Sequence, residues 1–270
     1  MDAINSKSNI RNITNIQKLK ILIKKELWEH SFGLFKAPIA FVIFSLVMYF
    51  LLFLSSSDVA AVFHYASSSL IITFFMCLMI SYFLHCYYDD KKNGSLSFFR
   101  SMPYSDTLDL TAKLVVGLVI IPITFYLYFE ILWLLQSVVF SFIVPSYKVS
   151  SYYGINIFIY ILGVLYFTPV LGYFLFVSTF SKRSPYLFAL VPVFISLIST
   201  LFVSSKAYLL WQVILFPIKK GLNLLFYHIK NTNVSDVFKE AVSSASFWYC
   251  IGVFIIFIAL ALVIRKKSDV

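Results

Sequence analysis

From Val59 to Tyr88, thirty consecutive residues pass without a single Lys, Arg, Asp or Glu. Crossing about 30 Å of hydrocarbon takes roughly 20 helical residues, so this run alone is long enough to span a bilayer. It is not isolated. The 270-residue chain is 60% hydrophobic and 13% charged, about half the charge of an ordinary soluble domain. In lipid only helices and closed barrels satisfy their own backbone. The apolar runs are continuous, without the polar alternation of barrel strands, which predicts an all-α integral membrane protein.

Six spans are expected. The first covers about Pro38–Leu54, and the second lies within Val59–Tyr88. The third covers about Leu114–Phe142 and contains Glu130. The fourth lies within Val149–Ser181, with Gly163, Pro169 and Gly172 as expected kink points. The fifth covers about Pro185–Ser205, and the sixth about Val242–Ile264. Lys and Arg fix the expected orientation. Seven precede the first span, ending at Lys36. Lys91, Lys92, Arg100 and Lys113 follow the second, Lys182 and Arg183 the fourth, and Arg265, Lys266 and Lys267 the sixth. The opposite side holds only Lys148 and five between Lys206 and Lys239. Both termini and Asp89–Lys113 are therefore expected in the cytoplasm. The expected division is a cytoplasmic N-terminus with an interfacial helix (1–37), a membrane domain (38–264) and a short tail (265–270). The polar N-terminus, without an A-x-A site after a short apolar stretch, gives no sign of a cleavable leader.

Two segments should lie in the interface rather than cross. Ile16–Phe32 places Ile16, Leu19, Leu22, Ile23 and Leu27 on one side and Lys18, Lys20, Lys24 and Lys25 over the other, with Glu26 and His30 intruding on the apolar side and Trp28 on the polar side. A basic amphipathic helix before a first span lies in the membrane plane. It also serves simply as a basic, topology-setting flank. Ala207–Ile218 is too short to cross and is broken by Pro217, Lys219, Lys220 and Gly221, as in an outer re-entrant segment.

The net charge of +10 sits at the ends of apolar runs, where topology and anionic headgroups account for it, so no nucleic-acid partner is expected. Cys77, Cys86 and Cys250 have no paired spacing and read as packing residues rather than a disulfide or metal site. No P-loop, HExxH, GxSxG or dinucleotide fingerprint occurs. Within the spans only His64, His85 and Glu130 titrate, on separate runs. Glu130 reads either as a residue lining a path, with Gln136 and Asn156 as polar companions, or as a half-solvated carboxyl at the end of a shifted span.

The polar stretch Asp89–Lys113 has the chemistry of a docking element. Asp89 and Asp90 end the second span, Asn93-Gly94 signals a turn, and Ser95 can cap a short helix from Leu96 to Met102 that Pro103 ends. Leu96 and Phe99 share one side of it, and Arg100 lies elsewhere. Ser105 opens the approach to the third span, with Asp106 and Asp109 in its first turns.

These residues resemble the ABC-2 type transporter permease family, whose pattern is an acidic residue, Gly-Ser/Thr-Leu, a Pro about eight residues on, a Ser and a Lys opening the third span. Here these are Asp89 or Asp90, Gly94-Ser95-Leu96, Pro103, Ser105 and Lys113. Lys24–His30, with Glu26, Trp28 and Glu29, resembles the family's N-terminal connecting helix. Asp stands in place of the family's usual Glu, and Ser97 where a second carboxylate is often found. The resemblance implies a permease subunit that dimerises and rests on a separate ATPase, which would hold the ATP and Mg. This chain would carry no cofactor and no catalytic residue. It also implies that Leu96–Met102 is the coupling helix. The resulting expectation is an exporter subunit in a bacterial cytoplasmic membrane. Two other classes stand beside it: a membrane assembly subunit without a transport path, and an ion-coupled carrier, against which the lack of an internal repeat counts.

Overall fold

In a computed structural model the described residues are 14–53, 72–92, 105–143, 157–181, 184–191, 219–221 and 234–267. Among them all regular structure is helical. The elements are α1 (Asn15–Glu29), a π-helical turn (Phe32–Lys36) running into α2 (Ala37–Phe53), α3 (Ile72–His85), α4 (Tyr88–Lys92) and α5 (Asp106–Val115). A second π-helical turn (Val116–Ile120) joins α5 to α6 (Ile121–Ile143). There follow α7 (Ile157–Phe180), α8 (Pro185–Ala189), α9 (Val234–Ser243) and α10 (Ala245–Lys267).

Three described helices are long and apolar enough to cross a membrane: Asp106–Leu135, Tyr160–Phe180 and Ala245–Lys266. The bent pair Asn15–Glu29 and Phe32–Met48 becomes a fourth if it counts as one broken span. The outer segment Ala207–Ile218 and the core of the fifth span lie outside the described residues.

Local chemistry sets the helix ends. Thr14 caps α1 through a reciprocal pair, Gln17 N–H to Thr14 Oγ1 (3.4 Å) and Thr14 N–H to Gln17 Oε1 (3.0 Å). The bend of 67° then turns α1 away from α2. Ser105 caps α5, with Asp106 and Asp109 in the first turn. Between α3 and α4 the helix breaks at Cys86–Tyr87, and the hydroxyl of buried Ser178 on α7 accepts the freed Tyr87 and Tyr88 N–H groups at 2.9 and 3.0 Å. This hydroxyl replaces the helical acceptors lost at the break. Helix α7 stays continuous through Pro169, and the expected sixth span is divided at Ser244 into α9 and α10.

The core lies where α3, α5, α6 and α7 meet. Phe75 and Phe125 stack at 4.3 Å and 6°, with Met79, Phe83, Val116, Ile121, Leu171 and Leu175 also buried around this centre. Apolar side chains gain little by leaving lipid for one another, so close approach depends on small residues. Gly172 lets α7 meet Phe254 of α10. Gly117 lies directly beneath the Phe83 ring, where an added Cβ would stand 2.4 Å from Cζ. Since Phe83 is fully buried, the ring cannot yield without repacking the core. Gly117→Val should therefore lower stability by about 1–3 kcal/mol, read as a lower thermal midpoint in detergent. Gly33→Ala is the control, since its Cβ meets nothing within 4 Å.

Candidate functional site

Helix α5 turns Asp109, Leu110, Ala112 and Lys113 inward. Asp109 and Lys113, four residues apart, fall on one face. Lys113 is 1% exposed. An ammonium shut away from water needs an acceptor for each of its three protons, and three segments supply one each. Glu26 Oε1 of α1 accepts at 2.7 Å, the Cys86 carbonyl at the α3–α4 break at 2.7 Å, and Asp90 Oδ2 of α4 lies at 3.0 Å. Glu26 shares the inward face of α1 with Leu22. Its other oxygen lies 3.3 Å from the Tyr82 hydroxyl, which is also 3.2 Å from the Lys113 carbonyl. Lys25 extends the network outward, 3.4 Å from Asp90 and 3.5 Å from Glu29.

A second ion pair abuts the first. Arg265 near the end of α10 reaches Asp109 at 2.6 Å and Asp106 at 2.9 Å. The Tyr87 ring links the two sets, with Lys113 Nζ 5.0 Å and Arg265 Cζ 4.7 Å from its centroid, within cation–π range. The Tyr87 hydroxyl is buried and makes no hydrogen bond among the described residues.

Burial pushes the Glu26 carboxyl above its usual value, only partly opposed by the Lys113 charge and hydrogen bond. Burial acts the same way on Asp90, but Lys113 and Lys25 outweigh it and hold that carboxyl low. His30, edge-on to Tyr82 at 4.9 Å, is pushed down to about 4 by burial and then by Lys113. The network thus holds ionised Asp90 and Lys113 beside a neutral imidazole.

The adjacent carboxylates Asp89 and Asp90 separate: Asp90 enters the network, while Asp89 lines an open cleft with Glu29 and His30. Lys24 and Trp28 line a second hollow with Leu27, Ser31 and Phe35, where Trp28 is 76% exposed. Glu130 lies on α6 and is hydrogen-bonded by Tyr126 one turn earlier. The side chain of Gln136, and all of Gly94, Ser95, Leu96, Phe99, Arg100, Pro103 and Asn156, lie outside the described residues. The sequence reading did not single out Lys25, Tyr82, Tyr87 or Ser178 as site residues. Arg265 and Asp109 figured in it only as a topology charge and a helix-dipole charge. One sign of the network was present, since Glu26 and His30 interrupt the apolar side of α1. No family model, curated protein or solved structure matches the chain.

Lys113→Met strips buried Glu26 of its closest cation and leaves Asp90 with Lys25 alone among the described residues, and should cost about 3–5 kcal/mol. Adding Glu26→Gln to Lys113→Met should restore part of the loss, read from thermal midpoints of the wild type and the two variants. Acid should also act through His30. An unfolded imidazole titrates near 6.5 and the folded one near 4, so its stabilising contribution is complete above 6.5 and drains away as pH falls towards 4. Glu26, shifted upward, works in the opposite direction over part of that range. Comparison with His30→Gln isolates the histidine: the wild type should lose thermal stability more steeply than the variant between pH 6.5 and 4.

Proposed function

We propose that this chain is the permease subunit of an ABC-2 type exporter, a six-span protein with both termini in the cytoplasm of a bacterium. It would work as a dimer on a separate ATPase subunit, which binds the ATP and Mg. Leu96–Met102, within segment 93–104, would be the coupling helix that docks on that ATPase, and the chain itself would catalyse no bond chemistry.

The observation that carries this reading is the anchorage of both ends of the segment. On one side Asp90 is held by Lys113 and Lys25. On the other, α5 begins at Ser105 and is fixed by Arg265 at Asp106 and Asp109. A plain connector between spans has no need of buried ion pairs at both ends. A lever does, because force applied at 93–104 is then passed directly to α1, α5 and α10. Near-rigid displacement of helices is an established way of converting such force into a change of access.

The test is affinity purification of the full chain in detergent from its native membrane, with any ATPase subunit that accompanies it identified. The wild type should carry it through affinity and size-exclusion steps, and Phe99→Asp with Arg100→Glu should release it while the permease remains folded. Glu26→Gln with Asp90→Asn should keep the complex but reduce substrate-stimulated ATP hydrolysis severalfold, since docking survives and transmission does not. A wild type that retains no ATPase, or a complex indifferent to changes at 99 and 100, would sink the coupling role and favour an assembly subunit or a carrier.

A further inference from the structure

Where α1 bends away from α2, a cleft of about 400 Å³ opens against α3, a volume typical of small-molecule sites. Leu34, Leu78, Ile121 and Phe125 give it an apolar floor. Tyr82, Phe32 and Tyr186 add aromatic walls, and Gly33 leaves one wall without a side chain. The rim carries two carboxylates, Glu29 and Asp89, and among the described residues no Lys or Arg lines it.

His30, at the edge of the cleft, does not offset that charge. Burial keeps His30 neutral at neutral pH. His85 Nδ1 lies 2.8 Å from the Ser81 carbonyl and Nε2 3.0 Å from the Tyr186 hydroxyl, so both ring nitrogens are engaged by the protein. Lys25 approaches Glu29 at 3.5 Å from outside the cleft. Asp89 makes no ion pair among the described residues.

We propose that this elbow cleft binds an organic cation with an apolar or aromatic body. Its charged group would sit at Asp89 and Glu29, and its body on Leu34, Leu78 and Phe125. Aromatic rings facing a desolvated cation add to the attraction. An anion would meet two carboxylates. A metal ion would lack ligands, since no group of three His, Cys, Asp or Glu is suitably placed among the described residues. A free amphipathic amine and the choline headgroup of a lipid carry the same chemistry. Binding here is a property of this chain alone and needs no ATPase, so it stands or falls separately from the coupling role.

The full chain, reconstituted in phosphatidylglycerol nanodiscs, should bind tritiated tetraphenylphosphonium saturably after subtraction of empty discs. Tetraphenylborate, of the same shape and opposite charge, should not displace it. Asp89→Asn with Glu29→Gln should weaken binding on the order of tenfold or more. Gly33→Trp should block it by filling the cleft from a position where nothing lies within 4 Å of an added Cβ. Repeating the titration at a fixed share of phosphatidylglycerol, which holds the surface potential constant, with the remaining lipid changed from phosphatidylethanolamine to phosphatidylcholine separates the sources. Weaker apparent affinity with phosphatidylcholine identifies a choline headgroup as the occupant, and unchanged affinity a free cation; both support the site. Binding that does not saturate, that tetraphenylborate displaces, or that persists undiminished in both variants with wild-type thermal midpoints overturns it.

Discussion

A lysine ammonium with no access to water dictates much of this architecture. Lys113 must find three acceptors, and they come from α1, the α3–α4 break and α4. Moving any one of these segments by the length of a hydrogen bond strands a buried charge. The desolvation of such a group can exceed the Coulombic gain, so a buried ion pair need not add net stability. It nevertheless penalises every alternative packing in which a partner is missing. The network therefore acts as a register for the helices around it.

Such a register matters because lipid is as apolar as the helix surfaces it bathes, and hydrophobic burial discriminates poorly between one packing and another. Discrimination falls to contacts with direction or shape. Ser178 of α7 accepts the two N–H groups freed at Tyr87 and Tyr88, fixing α7 against the break. Gly117 admits the Phe83 ring, and Gly172 admits Phe254. Arg265 then ties the end of α10 to the first turns of α5. The apolar core fills the volume these contacts define.

The helical class and its apolar helices were legible from composition and continuity, because charge-free runs near span length have few folded alternatives. The cap at Ser105 was legible too, from a serine followed by carboxylates in the first turn. Glu26 betrayed itself by standing on the apolar side of α1. The partner of Arg265 did not, since Asp109 is 156 residues away and a Lys or Arg after an apolar run is sufficiently explained by topology. Nor could sequence divide Asp89 from Asp90: neighbouring carboxylates look alike until the first turn of α4 sends one inward and the other towards the cleft. The bend between α1 and α2 falls at His30–Ser31, without a Gly or Pro at the break itself. Gly33 and Pro38 lie farther on, inside the π-helical turn and α2.

That division of the two aspartates places the proposed ligand cleft beside the ion pairs that hold the residue preceding the proposed coupling segment. Asp89 faces the cleft, while Asp90, the next residue, is the group that Lys113 and Lys25 hold. Glu29 stands in the same relation on α1: it lines the cleft and also pairs with Lys25. A cation seated at Asp89 and Glu29 would compete with Lys25 for Glu29 and shift the charge balance that fixes Asp90. Movement of segment 93–104 would disturb the same balance from the other side. If both events act on that balance, linkage requires each to alter the free energy of the other by an equal amount. The anchorage of the segment and the occupancy of the cleft are then two controls on one set of ion pairs.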